Sequence, residues 1–237
     1  MSTWTIKKEQ YYENTCDILS FLLEEYSRIF GREIMYKEPC LIYNDKNAPC
    51  PRFNISPMYI RLHQQSFNFW SQTIYQLSHE LCHYAMHQAK RNKEIWISWF
   101  EEIVCEAMSL YALEYATYYW YKCKLCTINP EFYKSNAEYL GVILAEPSTD
   151  GFQKCNTIGK LREYEQNRYS ESRRETHARE RKIIYAYICA NPIEARCLLD
   201  YEKYVNSDKL TINFDAWIRD NPCSLVCALA RLQPVKI

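Results

Sequence analysis

The sequence predicts an α+β fold that is predominantly helical, with a small N-terminal sheet and a helical C-terminal half. Three observations carry that expectation. Four Gly stand against 21 Tyr in 237 residues, which leaves little turn chemistry for an all-β chain. Apolar residues recur at helical spacing through most of the chain, whereas the stretch from Met58 to His63 alternates with the period of a half-buried strand. A chain of 237 residues can bury a sizeable core, so one domain over 1–237 is expected. A subdomain boundary is placed near 147–151, where Glu146-Pro-Ser-Thr-Asp-Gly151 is the strongest turn signal.

Each element follows from local pattern. Ile18, Leu19, Leu22, Leu23, Tyr26, Ile29 and Phe30 mark a first helix over about residues 5 to 30, with Gly31 as its stop. Ile34-Met-Tyr36 and Leu41-Ile-Tyr43 are short β-compatible runs separated by Pro39, and Asn44 to Pro51 reads as a loop. Met58, Ile60 and Leu62 then alternate with Tyr59, Arg61 and His63, a strand that an extended peptide could join if it formed an open edge. Ser66 or Asn68 is placed to cap the next helix, which runs to about Ala89 before the Lys90-Arg-Asn-Lys93 break. Another helix, crowded with Tyr and Trp, spans about Ile97 to Lys122. Asn129-Pro130 and the turn ending at Gly151 bracket a further helix. Asn191-Pro192 and Asn221-Pro222 each read as a cap followed by Pro at the first helical position. Between Arg162 and Lys182, Arg interleaved with Glu reads as a solvated helix face.

Charge and cysteine usage exclude several functions. Basic and acidic residues balance at 29 each, so there is no broad positive field and no nucleic-acid partner is expected. The start, MSTWTIKKEQ, has no apolar targeting core, and no run is long enough to span a bilayer, so a cytoplasmic protein with no membrane partner is expected. Twelve Cys are scattered without a repeating framework, which fits a reducing compartment. Cys123-Lys-Leu-Cys126 is a single CxxC without a matching pair, a weak metal signal, and Cys82 and Cys105 read as packed free thiols.

The chemistry concentrates in Gln76-Leu-Ser-His-Glu-Leu-Cys-His-Tyr-Ala85, which reads HExxH at His79, Glu80 and His83. On a helix that turns about 100° per residue the two His lie one turn apart on one side, able to converge on one ion. Ile74, Leu77, Leu81 and Tyr84 fall on the opposite side, an apolar back to a chemical front. A catalytic zinc ordinarily takes three protein ligands, and Trp99-Phe-Glu-Glu-Ile-Val-Cys-Glu-Ala107 on the next helix offers Glu102 and, one turn on, Glu106. His87 is about 12 Å along the helix from His79, too far to join both His on one zinc, and reads as a rim or surface residue.

With eighteen residues between His83 and Glu102, this pattern resembles the gluzincin metallopeptidases, in which a glutamate ligand on a neighbouring helix follows HExxH. The Trp three residues before Glu102 is similar to the aminopeptidase N branch, and the Glu-x-x-x-acid pair is similar to thermolysin. Peptidases of the ImmA/IrrE type use a somewhat longer gap, which would suit Glu106. No Gly-x-Met-Glu-Asn segment precedes HExxH, so amino-end recognition is not carried over. The resemblance covers roughly residues 71 to 110. It implies a zincin-like fold, Zn2+ held by His79, His83 and Glu102, and Glu106 as a supporting partner or alternative ligand. It further implies a zinc-dependent endopeptidase that hydrolyses a peptide or protein substrate by zinc-activated water, with Glu80 as general base. The alternative is a catalytically silent zinc-binding regulatory or interaction protein. An oxyanion-stabilising donor is expected from the 21 Tyr or from His63 or His177, without a single assignment. Oligomeric state is unassigned.

Overall fold

The computed structural model describes residues 4–7, 13–45, 50–52, 58–63, 69–167 and 173–235. The chain is mostly helical with one small sheet, the α+β class expected from its composition. It divides into two compact units, Met1–Ala89 with Met108–Ile143, and Lys90–Ala107 with Leu144–Ile237. Among the described residues no helix is long and apolar enough to cross a membrane.

In the first unit, β1 (Trp4–Ile6), β2 (Cys40–Asn44), β3 (Cys50–Arg52) and β4 (Met58–Leu62) form a sheet in the order β1-β2-β4-β3. The first three neighbours run parallel, and β3 runs antiparallel to β4. Two sequence expectations change here. Residues 4–6 are a strand rather than the start of the first helix, because Trp4 to Ile6 pair with Cys40 to Ile42 and the Trp4 indole donates to the Met35 carbonyl at 2.9 Å. Part of the expected 44–51 loop is also strand: Cys50 and Pro51 pair with Arg61 and Ile60. That pairing places β4 inside the sheet, so the 58–63 segment is not the open edge onto which a peptide could add.

Helix α1 (Glu13–Phe30) buries Ile18, Leu22, Tyr26, Ile29 and Phe30, the stripe read from the sequence. Gly31 ends it at φ +98°, a conformation that favours Gly, while its N–H still bonds the Ser27 carbonyl at 3.0 Å. The chain then turns into α2 (Arg32–Met35), where a β-compatible run was expected. Burial of Met35 and amide bonds from Met35 and Tyr36 back to Gly31 and Arg32 favour the helical turn over local strand propensity.

Helix α3 (Trp70–Ala89) packs against α1, α2 and β4. Tyr26 donates to the Ser78 carbonyl at 2.9 Å, and Tyr84 donates to the Glu38 carbonyl at 2.7 Å. Gln76 grips the end of the sheet, accepting from His63 N at 3.0 Å and donating to His63 O at 2.7 Å. The caps assigned to Ser66 or Asn68 lie outside the described residues. Helix α4 (Ser98–Tyr118) is followed by 3-10 turns at Trp120–Lys122 and Lys124–Thr127, so it stops short of the expected Lys122. The turn is fixed by the Trp120 indole donating to the Asn129 carbonyl at 2.8 Å. Helix α5 (Tyr133–Ala145) completes this part of the chain.

The second unit contains the first turns of α4 together with α6 (Ile158–Gln166), α7 (Arg173–Thr176), α8 (Ala178–Ala190), a 3-10 segment Pro192–Tyr204, α9 (Phe214–Asp220) and α10 (Ser224–Leu232). Its core includes Trp99, Phe100, Phe152, Leu161, Tyr201 and Trp217. Asn191-Pro192 opens a 3-10 segment with Pro at its start, as the sequence suggests, though without a side-chain cap. Asn221 does not cap α10. It closes α9, its N–H bonding the Trp217 carbonyl at 2.8 Å, and α10 begins only after Cys223.

Candidate metal centre

Helix α3 is buried along nearly its whole length, since all but four of its 20 residues are enclosed. Ile74, Leu77, Leu81 and Tyr84 are completely enclosed, the apolar back expected from their spacing. This wrapping fixes the helix in position and rotation. It also buries His87, at 5% exposure, which corrects its reading as a rim residue: a helix packed on several sides has no rim at that position.

On the chemical side, His79 Nε2 and His83 Nε2 lie 3.1 Å apart, with His83 buried and His79 half-buried. Glu80 is buried at 4% exposure, and its carboxylate adds to the burial that raises the thiol pKa of Cys40 at the start of β2.

Glu102 joins the two imidazoles. One ligand atom from each of His79, His83 and Glu102 lies within 4.8 Å of the others, and among the described residues no other group of three His, Cys, Asp or Glu meets that spacing. The donor set suits zinc. Bonds of about 2.0–2.1 Å at tetrahedral angles set two ligand nitrogens about 3.3 Å apart, close to the separation of the two Nε2 atoms. Two neutral nitrogens and one carboxylate are also a common catalytic zinc set.

The first turns of α4, which carry Glu102, are held by contacts within the second unit. Glu165 accepts the amides of Ser98 and Trp99 at 3.1 and 2.7 Å, supplying partners for two N–H groups that a helix start leaves unsatisfied. The Trp99 indole donates to the Leu210 carbonyl at 2.8 Å. Glu101, next in chain to Glu102, receives Lys90 Nζ at 2.5 Å and the Tyr201 hydroxyl, with all three side chains buried. Burial, with Glu101 as a second cause, raises the Tyr201 pKa well above its ordinary value, so that hydroxyl remains a donor.

Glu106 is not part of the three-residue group. Its Oε2 receives Arg181 Nη1 at 2.6 Å and its Oε1 lies 3.4 Å from His177 Nε2. Arg181 reaches on to Glu146 at 2.5 Å, and His177 Nδ1 lies 3.0 Å from the Tyr164 hydroxyl. The Arg162–Lys182 stretch is therefore not simply a solvated face, because Arg181 is fully enclosed. The signal was present in register: Arg181 shares a helix face with Ala178, Ile184 and Ile188, all buried. His63 Nδ1 lies 3.2 Å from the Asp45 carbonyl, and neither His63 nor His177 belongs to the three-residue group.

Cys82 and Cys105 are fully buried, packed thiols, as expected. Burial pushes the Cys123 thiol up to about 11, and its Sγ lies 4.0 Å from the Asp17 carbonyl, while Cys126 is half-buried. No protein-family model, curated protein or solved structure matches this chain.

Proposed function

We propose that the chain is a zinc-dependent peptidase of gluzincin type with a zincin-like arrangement of α3 and α4. The observation that supports this best is the convergence of His79, His83 and Glu102 within 4.8 Å, with Glu80 next in chain to the first of them. His79 and His83 would hold the ion as neutral imidazoles, and Glu102 would contribute one negative charge. When bound, zinc supplies a Lewis acid for a carbonyl oxygen and lowers the pKa of water towards about 7. The Glu80 carboxylate takes a proton from the attacking water and passes it to the departing amine. The substrate class that follows is a peptide or protein.

A second reading, a zinc-holding protein without turnover, draws on the deep burial of Glu80 and His83, at 4% and 1% exposure. Glu80→Gln separates the two, since it keeps shape while removing the basic carboxylate. In a peptide-hydrolysis assay with metal content measured in parallel, the peptidase reading expects retained zinc and a rate loss of about 10²–10⁴. A near wild-type rate in the Gln variant would remove Glu80 from the mechanism. A wild type that binds zinc and cleaves no peptide would favour the binding protein.

A further inference from the structure

In the second unit, Cys197 on the Pro192–Tyr204 segment and Cys223 immediately before α10 bring their Sγ atoms to 3.7 Å. Neither residue adjoins the other in sequence, and both are half-buried, so a small reagent can reach them. Disulfide formation requires the sulfurs to close from that contact to about 2.05 Å. Of the nine other described thiols, five are buried: Cys40, Cys82, Cys105, Cys123 and Cys155. Cys40, Cys82 and Cys105 are at most 1% exposed.

We propose that Cys197 and Cys223 form a reversible disulfide, a modification site that takes hydrogen peroxide as oxidant and a small dithiol as reductant. Cys223 is the attacking sulfur. The Cys197 contact and the backbone amides of Val226 and Leu225 at the start of α10 together pull its thiol down to about 7, although burial and Glu194 act the other way. Cys197 is raised by the same contact and by burial, so of the two thiols Cys223 ionises first.

The chemistry balances in two steps. The Cys223 thiolate attacks one peroxide oxygen, an S–O bond forms, the O–O bond breaks, and the departing hydroxide leaves as water after protonation. Cys197 sulfur then attacks the resulting sulfenic acid, the S–S bond forms, the S–O bond breaks, and hydroxide leaves with the Cys197 proton as a second water. Two thiols lose two electrons in total, and peroxide is reduced to two waters. A dithiol reverses the link by exchange.

The site is tested on the whole purified chain by brief hydrogen peroxide treatment at neutral pH, alkylation of remaining thiols, and tryptic mapping. Cleavage at Arg196, Lys203, Arg219 and Arg231 places the two residues on separate peptides, 197–203 and 220–231. The expected result is a cross-link between those peptides, resolved to Cys223 by fragmentation and removed by dithiothreitol. Cys197→Ser should instead leave Cys223 as a sulfenic acid that a cyclic diketone probe labels, with no cross-link. A Cys223–Cys227 link overturns the proposal, as does oxidation of other thiols while Cys197 and Cys223 both remain alkylated. Wild-type mapping decides the matter even if the Ser variant does not fold.

Discussion

His79 and His83 depend on a single helical turn, and each supplies one of only three donors in the group. Replacing either with Ala should remove most bound zinc, as read by metal analysis of the purified variants. Unchanged one-to-one zinc content in both would end the assignment. The two acids of α4 should separate in the same measurement. Glu102→Gln is expected to weaken zinc binding more than Glu106→Gln, because the Glu106 carboxylate is already engaged by Arg181 and faces His177. The opposite order would make Glu106 the ligand. At Cys223 the consequence is a pH profile. With Cys197 and Glu194 as the ionisable groups acting on it, and a thiol near 7, its peroxide reaction should fall about tenfold per pH unit well below that value and level off above it. A flat profile from pH 5 to 9 would remove Cys223 as the attacking sulfur. His79, Glu80 and His83 could be nominated from sequence because helix periodicity turns the HExxH spacing into direction, whereas Glu102 as third ligand is what the resemblance to the gluzincins implies. The Cys197–Cys223 contact could not be nominated, since its partners lie 26 residues apart and meet only through packing.

At the scale of elements, Gly31 and Arg181 are the sharpest tests. Gly31 joins α1 to α2 at φ +98° and ψ 138°, and an added Cβ would sit 2.2 Å from the Glu33 carboxylate. Gly31→Ala should therefore cost about 1–3 kcal/mol, measured by urea unfolding. Arg181→Met leaves the enclosed Glu106 carboxylate without its closest cation and should cost about 3–5 kcal/mol, whereas adding Glu106→Gln should recover part of that loss. A double variant as unstable as the single would mean that the ion pair is not the source of the cost. The helices were largely legible because 3.6-residue periodicity is a local signal, strong in α1 and α3. The strands β1 and β3 were not. Each has three residues, too few for a period to register, and each exists because a neighbouring strand satisfies its backbone. Arg181 was misread for a related reason, since the Glu and Arg residues around it hide the apolar face it shares with Ile184 and Ile188.

Across the whole molecule, zinc held by the native chain alone should stabilise it by mass action. Free zinc at about 100 times its Kd would add about 2.7 kcal/mol, and a chelator should take that away. For a chain of this size the corresponding fall in Tm is about 5–10 °C, readable by calorimetry, and an unchanged Tm would argue against a resident metal. The two compact units add a condition of timing. The chain leaves the first unit after Ala89, returns at Met108, and leaves again after Ile143. As a ribosome delivers residues in order, the segment bearing Glu102 emerges long before Glu165, Arg181, Tyr201 and Leu210, the residues that anchor its neighbours. Nascent chains stalled before those anchors should leave residues 90–107 open to protease, while full-length chains protect them. If Glu102 is a ligand as proposed, its surroundings are completed only once those later anchors are made, and metal capture should follow them rather than accompany synthesis of the HExxH helix.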